Sequence, residues 1–150
     1  MKIFFASDHA GFALKKVLMN FASGLGYEVE DKGDFTSDPQ DDYPLFISLV
    51  AKEISKNPEH RGVVIGGTGQ GEAIVCNRFP YVRAALWYGG DMNIIKLSRE
   101  HNNTNILSLG ARFVSDFEAE DALRLWLETE FSNEERHKRR IEEIEKIKTK

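Results

Sequence analysis

Short apolar runs alternate with amphipathic stretches along most of the chain. Residues 2–6 (KIFFA) form a compact apolar run that gives way to polar Ser7, Asp8 and His9, which predicts a buried strand. Leu14, Val17, Leu18, Phe21 and Leu25 then recur at helical spacing, and Gly24 and Gly26 close that helix. Residues 27–31 (YEVED) suit a second strand. A polar loop leads to Pro44, which fits the first turn of a helix carrying Leu45, Phe46, Leu49, Val50 and Ile54. Residues 62–65 (GVVI) predict a central strand that runs into Gly66-Gly67-Thr68-Gly69-Gln70-Gly71, and a helix restarts over 72–78. Further strands are expected at 83–88 and 105–109, separated by a helix over 91–100. Ala119, Ala122, Leu123 and Trp126 mark a helical stripe, and a last helix is expected over 133–148.

The predicted order is βαβαβαβαβαα. Strands this short and apolar, each followed by about one helix, specify a five-stranded parallel sheet covered on both faces, a three-layer α/β/α arrangement. Neither a repeat nor a linker interrupts it, so residues 1–150 are expected to form one domain. A chain of 150 residues, 41% hydrophobic, can bury such a core. Composition changes this picture little. Twenty Lys and Arg against 24 Asp and Glu give a formal charge of −4, which argues against broad binding to nucleic acid or an anionic membrane. The apolar run at the N-terminus is too short for a signal core or a membrane span. The single cysteine, Cys76, cannot form an internal disulfide, so the reducing cytoplasm is the expected location.

Candidate chemistry concentrates in the glycine-rich segment. Ligands of parallel α/β sheets bind beyond the C-terminal strand ends. Three groups are expected there: Ser7-Asp8-His9, the glycine run with Glu72, and Gly110-Ala111-Arg112. Four glycines within Gly66–Gly71 let backbone approach a ligand closely and point several N–H groups at one place, which suits an anion or a developing oxyanion. Two nucleotide-binding motifs fail here. A phosphate-gripping loop needs Lys and then Ser or Thr after the last glycine, where this chain has Glu72 and Ala73. The dinucleotide fingerprint counted from Gly67 ends on Glu72, and counted from Gly69 it ends on Ile74, neither of which is Gly or Ala. A carboxylate beside converging N–H donors instead suits proton abstraction next to a carbonyl, with Glu72 as base. On position alone, Glu72 reads first as an ordinary acid at a helix N-terminus.

The other candidates are similarly two-sided when taken singly. Asp8 is a helix cap or a site carboxylate, and His9 a surface or a ligand-edge histidine. His101 lies in a polar link before the fifth strand, and its type suits proton transfer near neutrality. Arg136 and Arg140 are four apart on one helical face, with Cβ atoms about 5–6 Å apart, and could grip a phosphate dianion or pair with glutamates. Cys76 suits core packing, and no Cys/His grouping has metal-ligand spacing.

Together these residues resemble the type B ribose-5-phosphate isomerases and the related galactose- and allose-6-phosphate isomerases. The resemblance spans nearly the whole chain. It rests on Ser7-Asp8-His9-Ala10-Gly11-Phe12 with Lys15, on Asp42-Tyr43-Pro44, and on Gly67-Thr68-Gly69-Gln70-Gly71 with Asn77. It continues through Arg99-Glu100-His101-Asn102 with Asn105, Gly110-Ala111-Arg112, and Arg136-His137 with Arg140. It implies a Rossmann-like fold whose C-terminal helix reaches a partner subunit. It also implies cofactor-free, metal-free chemistry on a sugar phosphate in a homodimer or homotetramer. His101 and Asp8 would open the furanose. Glu72 would move a proton between C1 and C2 through a cis-enediolate, held by Thr68 and the amides of Gly67, Gly69 and Gly71. His9, Arg112, Arg136 and Arg140 resemble the phosphate-binding set, and Asn102 and Tyr43 match positions lining the sugar. The resemblance places the site between subunits, with His9 and the C-terminal arginines meeting the partner's loop.

One departure bears on mechanism. Many members carry a catalytic cysteine immediately before the Gly-Thr-Gly run, where this chain has Gly66; another branch uses a glutamate at the place of Glu72. The rival readings are a six-carbon sugar phosphate as substrate, a catalytically silent sugar-phosphate sensor, and a nucleotide-binding module.

Overall fold

The computed structural model describes residues 1–147. Along the chain run β1 (Lys2–Ser7), α1 (Phe12–Gly24), β2 (Glu28–Asp31), α2 (Tyr43–Lys56), β3 (Arg61–Gly66) and α3 (Gln70–Cys76). They are followed by β4 (Ala84–Trp87), α4 (Asn93–Asn102), β5 (Ile106–Gly110), α5 (Asp116–Glu128) and α6 (Glu135–Glu145). The strands form one parallel sheet in the order β2-β1-β3-β5-β4. This is the expected Rossmann-like α/β/α architecture.

Strand alternation sorts the core into two layers. Ile3, Phe5, Val63 and Ile65 face Leu18 of α1, Ile95 of α4 and Trp126 of α5. Phe4, Ala6 and Val64 face Ile47, Val50 and Ile54 of α2 and Cys76 of α3. Phe5 and Ile65 have no exposed surface, and burying each such side chain is worth about 1.5–3 kcal/mol.

Topology sets where a ligand can bind. The chain winds from β1 outward to β2, then returns to the other side of β1 as β3. A crevice opens at such a reversal, beyond the C-terminal strand ends. The segments after β1 and β3 flank it, and the segment after β5 lies beside them because Gly66 pairs with Gly110.

Several boundaries differ from expectation: α3 ends at Cys76 rather than at 78, α4 runs Asn93–Asn102 rather than over 91–100, so that His101 closes a helix instead of lying in a link, and α6 ends at Glu145, short of the predicted 148. Helix α3 begins at Gln70, inside the glycine run, because Gly69 adopts a left-handed φ of 75° that turns the chain straight into the helix. Asn133, at φ 57°, cannot begin the last helix, which starts at Glu135. Lys148, the end of the predicted span, lies outside the described residues.

Candidate active site

The C-terminal edge of the sheet gathers one group of predicted residues around a cavity of about 280 Å³ lined by Asp8, Tyr43, Gly67, Thr68, Gly71, Glu72 and Arg112. Asp8 leaves β1 and is nearly buried; its Oδ1 accepts the Gly11 N–H at 2.9 Å. That bond does part of the capping work expected of an aspartate there. Thr68 Oγ1 accepts the Gln70 N–H at 3.3 Å. Arg112 donates its backbone N–H to Gly67 O at 3.1 Å and lays its guanidinium over the same residue. A side chain on Gly67 would press on that guanidinium at 3.1 Å, and one on Gly71 would meet the Tyr43 hydroxyl. The glycines therefore allow Arg112 and Tyr43 to close over the loop.

Glu72 lies in the first turn of α3 and is 4% exposed. Its carboxylate fills the space that a β-carbon on Gly66 would need. The two positions are thus alternatives: a side chain at 66 and an inward-turned carboxylate from 72 cannot coexist here. Burial raises the Glu72 pKa above its ordinary value, helped by the negative charges of Asp8 and Asp41, while its own backbone N–H opposes the rise. A buried carboxyl with a raised pKa is a better base near neutrality than one in water. Cys76 lies across α3, fully buried, with burial pushing its thiol pKa far up, which leaves no reactive thiolate.

His9 shares this edge, held by a residue that sequence reasoning passed over. Asp41 pairs through Oδ1 with the His9 ring Nδ1 at 2.8 Å and accepts the His9 backbone N–H through Oδ2 at 2.9 Å. Its side chain is only 5% exposed. The Asp41 hydrogen bond holds the His9 pKa above its usual value, partly offset by burial and by the positive charge of Arg112. No spacing rule points to Asp41, which brings its carboxylate to His9 from the loop before α2.

The remaining predicted residues lie on the other side of the sheet. Helix α4 runs antiparallel to the strands, so His101 and Asn102 at its C-terminus stand where β5 begins. Neighbouring Asn105 accepts the Arg83 N–H at the start of β4 and donates to Tyr81 O. Arg136 and Arg140 are exposed on α6, which is tied to the same edge by the Arg83–Glu145 pair at 2.7 Å. The five residues of β5 separate the two groups by about 17 Å at the usual strand rise. Within one chain the structure therefore unites Asp8, His9, Tyr43, Thr68, Glu72 and Arg112, and separately His101, Asn102, Arg136 and Arg140. Within one chain His9 stands apart from the C-terminal arginines, because His9 follows β1 and the arginines stand with the strand starts.

Some motif residues serve the frame. Asn77 brackets Ala84, accepting its N–H and donating to its carbonyl, and so pins the edge strand. Arg99 is buried, with its pKa lowered to about 10 by burial, and its guanidinium bonds Thr104 O and Thr129 O. Among the described residues, no group of three or more His, Cys, Asp or Glu is placed to hold a metal ion.

Residues 3–144 match the ribose/galactose isomerase family. The chain belongs to that family. It is 36% identical over 142 residues to the ribose-5-phosphate isomerase B of Mycolicibacterium paratuberculosis, covering 95% of this chain and 88% of that one. It is likewise 36% identical to the Escherichia coli enzyme of that name, covering 97% and 95% of the two chains. The crystal structure of ribose-5-phosphate isomerase B from Mycoplasma genitalium with bound ribulose-5-phosphate superimposes with a TM-score of 0.91 at 38% identity, covering 96% of this chain and 93% of that one. The Clostridium thermocellum protein of the same name superimposes with a TM-score of 0.90 at 40% identity, covering 97% and 95%. Membership accounts for the fold, the glycine loop and the conjunction of motifs.

Proposed function

We propose that this chain, a single domain over 1–150, is an aldose–ketose isomerase that interconverts ribose 5-phosphate and ribulose 5-phosphate. The observation that carries the reading is the Glu72 carboxylate, buried at the end of β3 beside the glycine loop and raised in pKa. In this reading Glu72 removes the C2 proton of the open aldose. The electron pair moves through the C1–C2 enediolate as the O2 hydroxyl proton passes to O1, and the abstracted proton returns to C1. The developing charge on oxygen meets Thr68 and the loop amides of Gly67, Gly69 and Gly71, donors fixed before the reaction. Proton and electrons balance within the substrate, so the step needs no cofactor.

His101 and Asp8 are assigned to furanose opening, Asn102 and Tyr43 to the sugar, and His9, Arg112, Arg136 and Arg140 to phosphate. Asp8 and His101 stand at opposite edges of one sheet, so acting on one sugar requires two chains. We therefore assign a homodimer, or a homotetramer built from such dimers, with each site completed by α4 and α6 of the partner. Among the described residues no helix is long and apolar enough to cross a membrane. A cytoplasmic setting suits the lone, buried Cys76, which can form no internal disulfide.

The test is solvent deuterium uptake at C2 of ribose 5-phosphate, run beside allose and galactose 6-phosphates. Glu72→Gln should lower turnover by about 10²–10⁴-fold, the usual worth of a general base, while Cys76→Ser stays near the parent. Near-normal exchange in Glu72→Gln would end the assignment. Faster exchange of a hexose phosphate would move the substrate to six carbons.

A further inference from the structure

The His101 imidazole makes no hydrogen bond among the described residues, yet it is not loose. The ring of His137 stacks against it, with centroids 4.3 Å apart and planes tilted by 39°. His137 stands on the α6 turn between Arg136 and Arg140, but unlike them it points inward and is 2% exposed. Its own ring is fixed from behind. Nδ1 meets Ser132 Oγ at 2.7 Å, and that hydroxyl accepts the Glu134 N–H at 3.3 Å, leaving its proton free for Nδ1. Ser132 in turn donates its backbone N–H to Glu100 O, in the residue before His101. Burial, followed by the neighbouring His101 and the arginines of α6, holds the His137 pKa below its usual value.

We infer that His137 is a positioning residue for furanose opening: its ring holds the otherwise unbonded His101 imidazole in the orientation needed to pass a proton to the sugar ring. A group with no hydrogen bond to fix it, stacked on one flat face, loses that support when the face is removed. Misplacement of a proton-transfer group by about 1 Å can cost 10²-fold in rate. The placement of Arg136 and Arg140 does not depend on this side chain alone. The Arg83–Glu145 pair and the Ser132–Glu100 backbone bond also hold α6 and its approach.

This inference rests on the proposed reading of His101, and its test separates the two. Ribose 5-phosphate is mostly a furanose and must be opened. Ribulose 5-phosphate cannot close a furanose, because its C5 oxygen carries the phosphate. Turnover of ribose 5-phosphate therefore includes ring opening, whereas exchange of the C1 protons of ribulose 5-phosphate with D2O reports enolisation alone. His137→Leu, which keeps volume but removes the flat polar ring, should lower kcat for ribose 5-phosphate about tenfold or more. KM and C1 exchange should stay within about twofold of the parent. His137→Phe restores an aromatic face and should recover most of the lost turnover. Equal loss of both reactions in His137→Leu, or loss of neither, would overturn the inference. His101→Asn is the control. If it shows the selective loss and His137→Leu does not, this inference alone falls. If His101→Asn shows no selective loss, the reading of His101 falls and takes this inference with it. Should His137→Leu not fold, the same comparison on Ser132→Ala decides: a smaller loss confined to ribose 5-phosphate supports the role, and an unchanged ratio overturns it.

Discussion

At the scale of single residues, Gly66 and Glu72 form a pair with one occupied volume between them. The carboxylate of one fills the room that a side chain on the other would take. Gly66→Cys should therefore evict the carboxylate and lower turnover by at least about 10²-fold, as loss of a general base does. Combining Gly66→Cys with Glu72→Ala clears the collision. The double variant should be more active than Gly66→Cys alone, and its activity should be abolished by thiol alkylation while the parent's is not. Glu72 also carries a stability cost. Its folded pKa is raised above 4.5, so folding favours the protonated form. Stability relative to Glu72→Gln should be fullest below pH 4.5, fall as pH rises through the raised folded value, and then level off. Melting curves of both proteins between pH 4 and 8 check the sign: the Gln variant should melt higher at neutral pH.

At the scale of elements, loops from different strands lock one another. Asp41 reaches from the loop before α2 to bind both ring and backbone of His9 after β1. Asp41→Asn should return the His9 pKa toward its usual 6.5. The His9 cation would then be lost at lower pH, and the rise of KM for the phosphate substrate should begin at lower pH, with kcat less affected. A pH series of KM for both proteins tests this. Elements were largely legible in the hydrophobic pattern, because period-2 and period-3.6 spacing reflects which face is buried. Boundaries set by backbone dihedrals were not. The early start of α3 depends on the φ of Gly69, and the late start of α6 on that of Asn133. Asp41 was illegible for a related reason: its partner lies 32 residues away, and only the folded loops bring them together. His137 was hidden differently. In a stretch of basic residues its inward direction could not be told from the outward direction of its neighbours.

At the scale of the whole molecule, the candidate residues fall on two edges of one sheet. Residue spacing suggested the edge holding Asp8, Glu72 and Arg112, because ligands gather where parallel strands end. His101, read as lying before the fifth strand, fell outside that edge, and the structure sets it at the end of a helix antiparallel to the strands, where they begin. That separation requires each site to be shared between chains, and mixing inactive variants shows whether it is. Glu72→Gln and His101→Asn are each prepared as inactive homo-oligomers, dissociated together and reassociated. A mixed dimer would hold one site with intact Glu72 and intact His101 and one with neither. A random equal mixture should recover about a quarter of parental turnover of ribose 5-phosphate, from statistical pairing in a two-fold dimer. Mixed oligomers that form and remain inactive would contradict such sharing.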